Sequence, residues 1–234
     1  MKIGDVDIRA FRAKQLTVDI LPPQTSVSKE WLPRALRPTE GETETTFSSV
    51  EVKLLIRGRD RNDATNKISD INALLQSGTV LTLDGYERRF MAYATGNGEE
   101  KTLAPTKYLA EFSFDGYWFS DEVVVELPNI ATAEFEAQGN RTPPCKVVII
   151  PDENIDELTI TGFAEVMTLY NLPRGATIII DGVAGTVTQD GANKFEEFEG
   201  WDFPYLNIKG DKKNAISFGT TKCDIKIAYN PMWL

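Results

Sequence analysis

The chain has 234 residues, of which 41% are hydrophobic and 26% are charged, a composition typical of a soluble protein with one or two domains. Its 25 basic and 35 acidic residues give a net charge of −10, and neither half has the basic excess that nucleic-acid binding requires. No apolar run approaches the roughly 20 residues of a membrane helix, so no membrane span is expected. The start "MKIGDVDIRAF" lacks the apolar core of a signal peptide.

The absence of histidine excludes Ser-His-Asp and Cys-His catalytic systems and also His-ligated zinc. Cys145 and Cys223 lie far apart and fit no metal-ligand spacing, so we expect two buried thiols rather than a disulfide. The "GNGEE" stretch at 96–100 lacks the lysine-serine pair and the helix of a phosphate-binding loop, and a plain loop is expected there. An enzyme with this composition would have to rely on carboxylates, Lys, Ser or Tyr. We expect no catalytic, cofactor-binding or metal-binding residue, no cofactor and no enzyme activity.

Residues 1–20 alternate loosely, which predicts two strands around a turn. From residue 21 to residue 47 the alternation is lost in a stretch with four prolines and a cluster of Glu and Thr. Because proline supplies no amide to a sheet, we expect a long loop or arm at 21–47. Trp31 would anchor this arm to a partner or pack back on its own domain.

Regular structure is predicted again from "SSVEVKLLIRGRD", a strand of period two, and from the helix "DRNDATNKISDINALLQSG" that follows. Asp60 is the expected N-cap, Asp63 lies in the first turn, and Gly78 suits the C′ position. The apolar stripe of this amphipathic helix predicts packing on a sheet, and it consists of Ala64, Ile68, Ile71, Leu74 and Leu75.

Three further strands are expected in "TVLTL", "RRFMAYATG" and "KYLAEFSFDGYWF", the last with its aromatic side facing the core. Turn residues at 138–144 mark the best boundary, so the predicted organisation is a domain at 1–130, a linker at 131–144 and a second domain at 145–234. The second domain contains short strands spaced by about 8–12 residues, which is typical of an antiparallel β-sandwich. The predicted fold class is mainly β, with an α+β N-terminal domain and a C-terminal sandwich.

Asp-Gly occurs at 84–85, 115–116, 181–182 and 190–191, and this repetition favours turn geometry. Asp181 follows "ATIII", and we interpret it as a turn residue rather than a catalytic carboxylate. Ile178, Ile179 and Ile180 predict a strand covered on both faces, since a half-exposed strand would alternate.

The acidic run "KFEEFEGWDF" at 194–203 leaves two interpretations open. Its carboxylates, together with Trp201, would suit glycoside cleavage or sugar stacking. The same residues also describe a solvated loop with aromatic side chains in the core, which we favour. The carboxylates in question are Glu196, Glu197, Glu199 and Asp202.

In order, these elements resemble the distal tail proteins of long-tailed phages with non-contractile tails. The early half contributes "VEVKLLIRGRDRNDATNKISDINALLQSGTVLTLDGYERRFMAYATG" and "YLAEFSFDGYWF". The later half contributes "LYNLPRGATIIIDG" and "YLNIKGDKKNAISFGTTKCDIKIAYNPMWL". The chain has Asp115-Gly116-Tyr117 where the family usually has Asp-Pro-aromatic, and this departure concerns the local turn.

The resemblance implies a belt domain at 1–130 that forms a six-membered ring at the tail tip and a galectin-like β-sandwich at 145–234 outside the ring. It implies that the ring joins the tail tube protein to the tail-tip hub protein and supports a receptor-binding protein in many members. It also implies a virion location after assembly in the host cytoplasm. In this reading the 21–47 arm and the belt strands make the ring contacts.

A second class of function stays open from the residues alone. The chain would then be a carbohydrate-binding module or accessory domain of a secreted or cell-surface protein that acts on glycans. Trp201 and Trp233 would supply stacking surfaces, although the sequence shows no convergent set of polar side chains around them.

Overall fold

A computed structural model describes residues 1–30, 39–163, 165–208 and 213–234 of the chain. The chain divides into two compact units: unit 1 is Met1–Phe119 together with Leu234, and unit 2 is Ser120–Trp233. Both are built mainly from antiparallel strands, which confirms the predicted mainly-β class.

Unit 1 is an antiparallel sheet with one helix. Its elements are β1 (Lys2–Ile3), β2 (Val6–Asp7), β3 (Ala13–Leu21), β4 (Thr25–Glu30), β5 (Thr39–Thr45), β6 (Ser48–Arg57), α1 (Arg61–Leu74), β7 (Thr79–Thr82), β8 (Arg89–Ala104) and β9 (Lys107–Phe119). The sheet has the strand order β2-β1-β7-β8-β9-β6-β3, and β4 and β5 form a separate hairpin. The 3-10 turn Ile8–Phe11 precedes β3.

Strands β6 and β9 are neighbours in this sheet, and both alternate between buried and half-buried residues along most of their length, as their period-two patterns predict. The aromatic side of β9 does face the core, since Phe112 and Phe114 are each 1% exposed. On β6 the buried side chains are Val50, Val52, Leu54 and Ile56.

Helix α1 begins where the sequence predicts. Asp60 is extended and its carboxylate accepts a hydrogen bond from the N–H of Asp63 at 2.9 Å, which satisfies one of the free amides of the first turn. The stripe packs inward through Ala64, Ile68 and Ile71. No helix in the described ranges is long and apolar enough to cross a bilayer.

The predicted role of Gly78 as C′ residue is wrong. The helix ends at Leu74 with Leu75 as its cap, so Gly78 lies beyond the cap. A Cβ at Gly78 would come within 2.6 Å of the Tyr93 ring, so the position needs glycine for close approach to a side chain.

The arm at 21–47 contains more regular structure than its prolines suggest. Strands β4 and β5 pair from Thr25↔Thr45 to Glu30↔Thr39. Proline lies outside both strands, which explains why the hairpin is compatible with the sequence. Trp31 lies outside the described residues, so neither of its predicted roles is tested. The "GNGEE" stretch is likewise no loop, because it lies inside β8 and pairs with β9.

Asp115-Gly116 does not form the predicted turn, because both residues lie inside β9. Asp115 accepts a hydrogen bond from the Ser49 hydroxyl at 2.6 Å across to β6. A Cβ on Gly116 would lie 1.7 Å from the Met91 carbonyl oxygen of β8. Glycine here allows two backbones to approach closely within the sheet.

Unit 2 is a β-sandwich. Its strands are β10 (Val123–Pro128), β11 (Thr132–Phe135), β12 (Cys145–Pro151), β13 (Ile155–Ile160), β14 (Met167–Leu172), β15 (Ile178–Asp181), β16 (Thr186–Gln189), β17 (Ala192–Asn193), β18 (Phe198–Glu199), β19 (Asn214–Ser217), β20 (Cys223–Tyr229) and β21 (Met232–Trp233). One face is the sheet β10-β20-β12-β15-β16-β17, and the other contains β13-β14-β18 and the pair β11-β19. A 3-10 turn, Phe195–Glu197, precedes β18.

A single apolar core joins the faces of this sandwich, with buried residues such as Ile178 and Ile227 from one face and Leu169 and Ile216 from the other. Strand β15 is fully covered on one face only. Ile178 and Ile180 are buried but Ile179 is half-buried, so the prediction of two covered faces holds only in part.

The chain divides at Phe119, ahead of the boundary expected at residue 130. Strand β10 pairs with β20 over its whole length, and β11, inside the expected linker, pairs with β19. The turn residues at 138–144 thus follow two strands that already belong to the sandwich. Among the described residues 205–208, only Tyr205 pairs with another segment, through an isolated bridge to Pro144.

Replacement of Gly116 by alanine is expected to destabilise the protein by at least about 2 kcal/mol, because the new methyl group forces β8 and β9 apart. Urea unfolding followed by tryptophan fluorescence measures the change. Ser113→Ala in the same strand is the control, with an expected change within about 0.5 kcal/mol. Equal stability of the two variants would contradict the close approach at Gly116.

Candidate functional site

Asp181 ends β15 and its carboxylate organises the turn that follows. Oδ1 accepts hydrogen bonds from the N–H groups of Val183 at 2.9 Å and Ala184 at 3.0 Å. Oδ2 lies 3.1 Å from Nζ of Lys146 on the neighbouring β12. Both oxygens are therefore engaged within the turn and its neighbouring strand, which confirms the predicted turn role.

Partial burial of Asp181 opposes its ionisation, but the hydrogen bonds from Ala184, Lys146 and Val183 outweigh this and lower the pKa of the carboxyl. A general acid would need the opposite shift. The lowered pKa of Asp181 thus matches a charged carboxylate that accepts hydrogen bonds from the backbone of the turn.

Two other Asp-Gly pairs also lie in turns. Asp190 and Gly191 have φ of 49° and 83° and form the two-residue loop between β16 and β17, the type I′ pattern that the sequence predicts. Gly85, with φ of 90°, lies in the connection between β7 and β8. Three of the four Asp-Gly pairs, all but 115–116, therefore lie in turns.

Three of the four carboxylates of the acidic run, those of Glu197, Glu199 and Asp202, each have a separate partner. Glu197 forms an ion pair with the buried Lys194, which lowers the pKa of the glutamate. Glu199 accepts a hydrogen bond from the Tyr170 hydroxyl at 2.9 Å, and Asp202 accepts one from the N–H of Phe203 at 2.8 Å. A glycosidase acid needs a raised pKa, so Glu197 does not match that role.

The aromatic residues of this run divide between core and solvent. Phe198 stacks on Phe203 with ring centroids 6.0 Å apart, and both pack against the sandwich core. Trp201 is 99% exposed. Within the described residues, no ring contact or hydrogen bond involves the Trp201 side chain, so the polar partners that a sugar site needs are not assembled around it.

The two cysteines are buried and free, which confirms the sequence prediction. Burial raises the pKa of both thiols, and that of Cys223 reaches about 11. Since the thiolate is the reactive form, neither thiol has the properties of a nucleophile. Within the described residues, no three Cys, Asp or Glu side chains form a group that could hold a metal ion.

Strand β3 is an edge of the unit 1 sheet and exposes three large apolar side chains beside the polar Lys14, Thr17 and Asp19. Leu16 is 46% exposed, Ile20 39% and Leu21 56%. Natural proteins cover or charge such edges, because unpaired backbone groups beside apolar side chains promote association. This surface is the strongest candidate for a protein contact in unit 1.

A groove of about 760 Å³ lies at the start of β3. Its basic lining distinguishes it in a chain of net charge −10. The sequence analysis missed it because Arg57 comes from β6, although three basic residues within 9–14 were a visible signal. We call it the basic groove, defined by Arg9, Arg12, Lys14 and Arg57.

Replacement of Asp181 by alanine is expected to destabilise the protein by about 1–2 kcal/mol at pH 7, and Asp181→Asn by less, because one acceptor oxygen remains. The folded-state pKa is lowered, so the contribution is present above the unfolded value near pH 4 and is lost as the pH falls through the folded value. Urea melts at pH 7 and pH 3 measure this, with a smaller difference at pH 3.

The control for this prediction is Asp156→Ala, an exposed aspartate on β13. Its expected effect is within about 0.5 kcal/mol at both pH values. If Asp181→Ala behaved like this control, the carboxylate would have no role in the turn.

No protein-family model and no curated protein matches the sequence. Solved structures do match. The chain superposes on the SPP1 Dit (gp 19.1) protein, described as a paradigm of hub adsorption apparatus in Gram-positive infecting phages, with a TM-score of 0.74 and 11% identity over 100% of this chain and 98% of that one. Two structures of the phage p2 baseplate in its activated conformation also match, each over 95% of this chain and 92% of the other chain. The structure with Sr gives a TM-score of 0.54 at 10% identity, and the structure with Ca gives 0.53 at 9% identity. The chain therefore has the fold of phage distal tail hub proteins.

Proposed function

We propose that this chain is a structural component of a phage tail tip. Six copies form a ring that joins the tail tube to the tail-tip or baseplate proteins and to the proteins of host adhesion. The observation that carries the proposal is the full-length match, in which both units align with a single hub protein. The function follows from assembly rather than from catalysis, and this is consistent with the structural roles found for Asp181, Glu197 and both cysteines.

Unit 1 is the ring-forming part in this proposal. The exposed apolar side chains on β3 support a contact with a neighbouring copy, since burial of this edge would remove Leu16, Ile20 and Leu21 from water. A head-to-tail contact between identical chains closes into a ring when its rotation is right. Unit 2 is then a second, appended domain with a sandwich fold.

The hairpin β4–β5 is the second support for an assembly role. In the described part of the chain these strands pair only with each other. An isolated two-stranded hairpin is only marginally stable in water. We infer that it packs on an adjacent subunit or on the tail tube.

The proposed partners are other copies of this chain, the tail tube protein and a tail-tip hub protein, with a receptor-binding protein as a further candidate. The proposed location is the tail tip of the virion, after assembly in the host cytoplasm. The structures that share this fold are themselves phage tail components, which supports the location.

A carbohydrate-binding module is the less supported alternative. Its one favourable feature is the exposed Trp201. Three nearby carboxylates have partners within the chain: Glu197 pairs with Lys194, Glu199 accepts a hydrogen bond from Tyr170, and Asp202 accepts one from backbone. The shared fold favours the structural role.

The oligomeric state separates the two functions. We expect the full chain to form a closed hexamer with six times the 26.1 kDa chain mass, because each copy offers an exposed apolar edge. Native mass spectrometry and light scattering after size exclusion measure this mass. A monomer at tens of micromolar would contradict the ring and favour the binding module.

Removal of the hairpin is expected to weaken the ring. Gln24 and Thr46 are hydrogen-bonded at its root, with N–H(Thr46) to O(Gln24) at 2.9 Å, so two glycines can replace residues 25–45 without separating β3 from β6. The expected result is a folded protein that forms a smaller oligomer or a monomer instead of the hexamer. Trp201→Ala in unit 2 is the control and is expected to keep the wild-type mass. An intact ring after removal of the hairpin would exclude its role in assembly.

A further inference from the structure

The basic groove concentrates positive charge at one end of β3. Arg9 donates hydrogen bonds to both carboxylate oxygens of Asp7, at 3.0 Å to Oδ1 and 2.7 Å to Oδ2, and Asp84 pairs with the amino group of Met1. No ion pair involves Arg12, Lys14 or Arg57 within the described residues. All three side chains are exposed, so the groove presents uncompensated positive charge beside the apolar Leu55 and Ile8.

A segment of opposite charge exists in the same unit. Strand β5 reads "TEGETET" and has three glutamates and no basic residue. Its backbone pairs with β4 and with no other strand of the described ranges. The chain therefore contains both an acidic strand outside its main sheet and a basic groove beside that sheet.

The groove and the hairpin lie at opposite ends of the same strand pair. At the groove end Ala13 of β3 pairs with Ile56 of β6, and at the hairpin end Leu21 pairs with Ser49. The nine residues of β3 span about 30 Å at about 3.3 Å per residue. The chain continues from Leu21 into the hairpin at the end remote from the groove, so the two features are placed to meet between copies.

We propose that β5 of one copy lies in the basic groove of the next copy. Complementary features at opposite ends of one element produce a head-to-tail contact, which is the type of contact that generates rings. The acidic composition of β5 complements the positive charge of Arg12, Lys14 and Arg57. The inference rests on the proposed ring and specifies which surfaces meet in it.

The test exchanges charges between the two surfaces. One variant carries Lys14→Glu and Arg57→Glu in the groove, at exposed strand positions. The other carries Glu42→Lys and Glu44→Lys in β5. Each variant alone places like charges together, so we expect at least a tenfold rise in the concentration for half-assembly at low salt.

Mixing the two variants is the decisive step. In an alternating ring each reversed groove meets a reversed β5, and each unchanged groove meets an unchanged β5, so every contact is complementary again. We expect the equimolar mixture to recover the wild-type mass. Damage to folding would not be repaired by mixing, and circular dichroism of the separate variants checks that each is folded.

The matched control reverses two basic side chains of unit 2, with Arg174→Glu and Lys222→Glu, and is expected to assemble as the wild type does. If both test variants assemble like this control, or if the mixture does not recover the ring, the contact between β5 and the groove is overturned while the ring itself stands. If the wild-type chain forms no ring, the proposed function is overturned, and the inference falls with it.

Discussion

The pairing of β9 with β6 on one side and β8 on the other is the constraint on which the rest of unit 1 depends. The register runs without interruption from Ser48↔Gly116 to Arg57↔Lys107 on the β6 side. A slip by one residue would turn Phe112 and Phe114 from the core to the opposite face, so the buried aromatic side fixes the register. Once β9 is placed, α1 has an apolar sheet to cover, and β3 is left as an edge beyond β6.

Local chemistry made much of this fold predictable. Asp60 at the start of α1, the alternation in β6 and β9, and the turns at Asp181 and Asp190 each depend on neighbours within a few residues, and the sequence shows them directly. The turn predicted at Asp115-Gly116 is not found, because the glycine is instead required by the close approach of the Met91 carbonyl oxygen on another strand. The division of the chain after Phe119 also depends on distant contacts, since β10 pairs with β20, which lies about a hundred residues later. These features are set by contacts distant in sequence, which a single sequence does not reveal.

The surfaces that we propose for assembly also depend on contacts between residues that are distant in the sequence. Lys14 and Arg57 are separated by a long arm in the chain, and the pairing of β3 with β6 brings their strand ends together. The net acidic charge conceals this local positive region, because the composition averages over the whole chain. An acidic chain with one basic region can remain soluble as a free subunit and still attract its own copies in one orientation.

The placement of the two cysteines has a consequence for the conditions that the sandwich tolerates. Pairing of β12 with β20 places Cys145 opposite Tyr229 and Cys223 opposite Pro151, so the thiols lie at opposite ends of the two strands. A separation of about 20 Å along the strands far exceeds the span of a disulfide. The covalent structure of unit 2 is therefore the same in reducing and in oxidising surroundings.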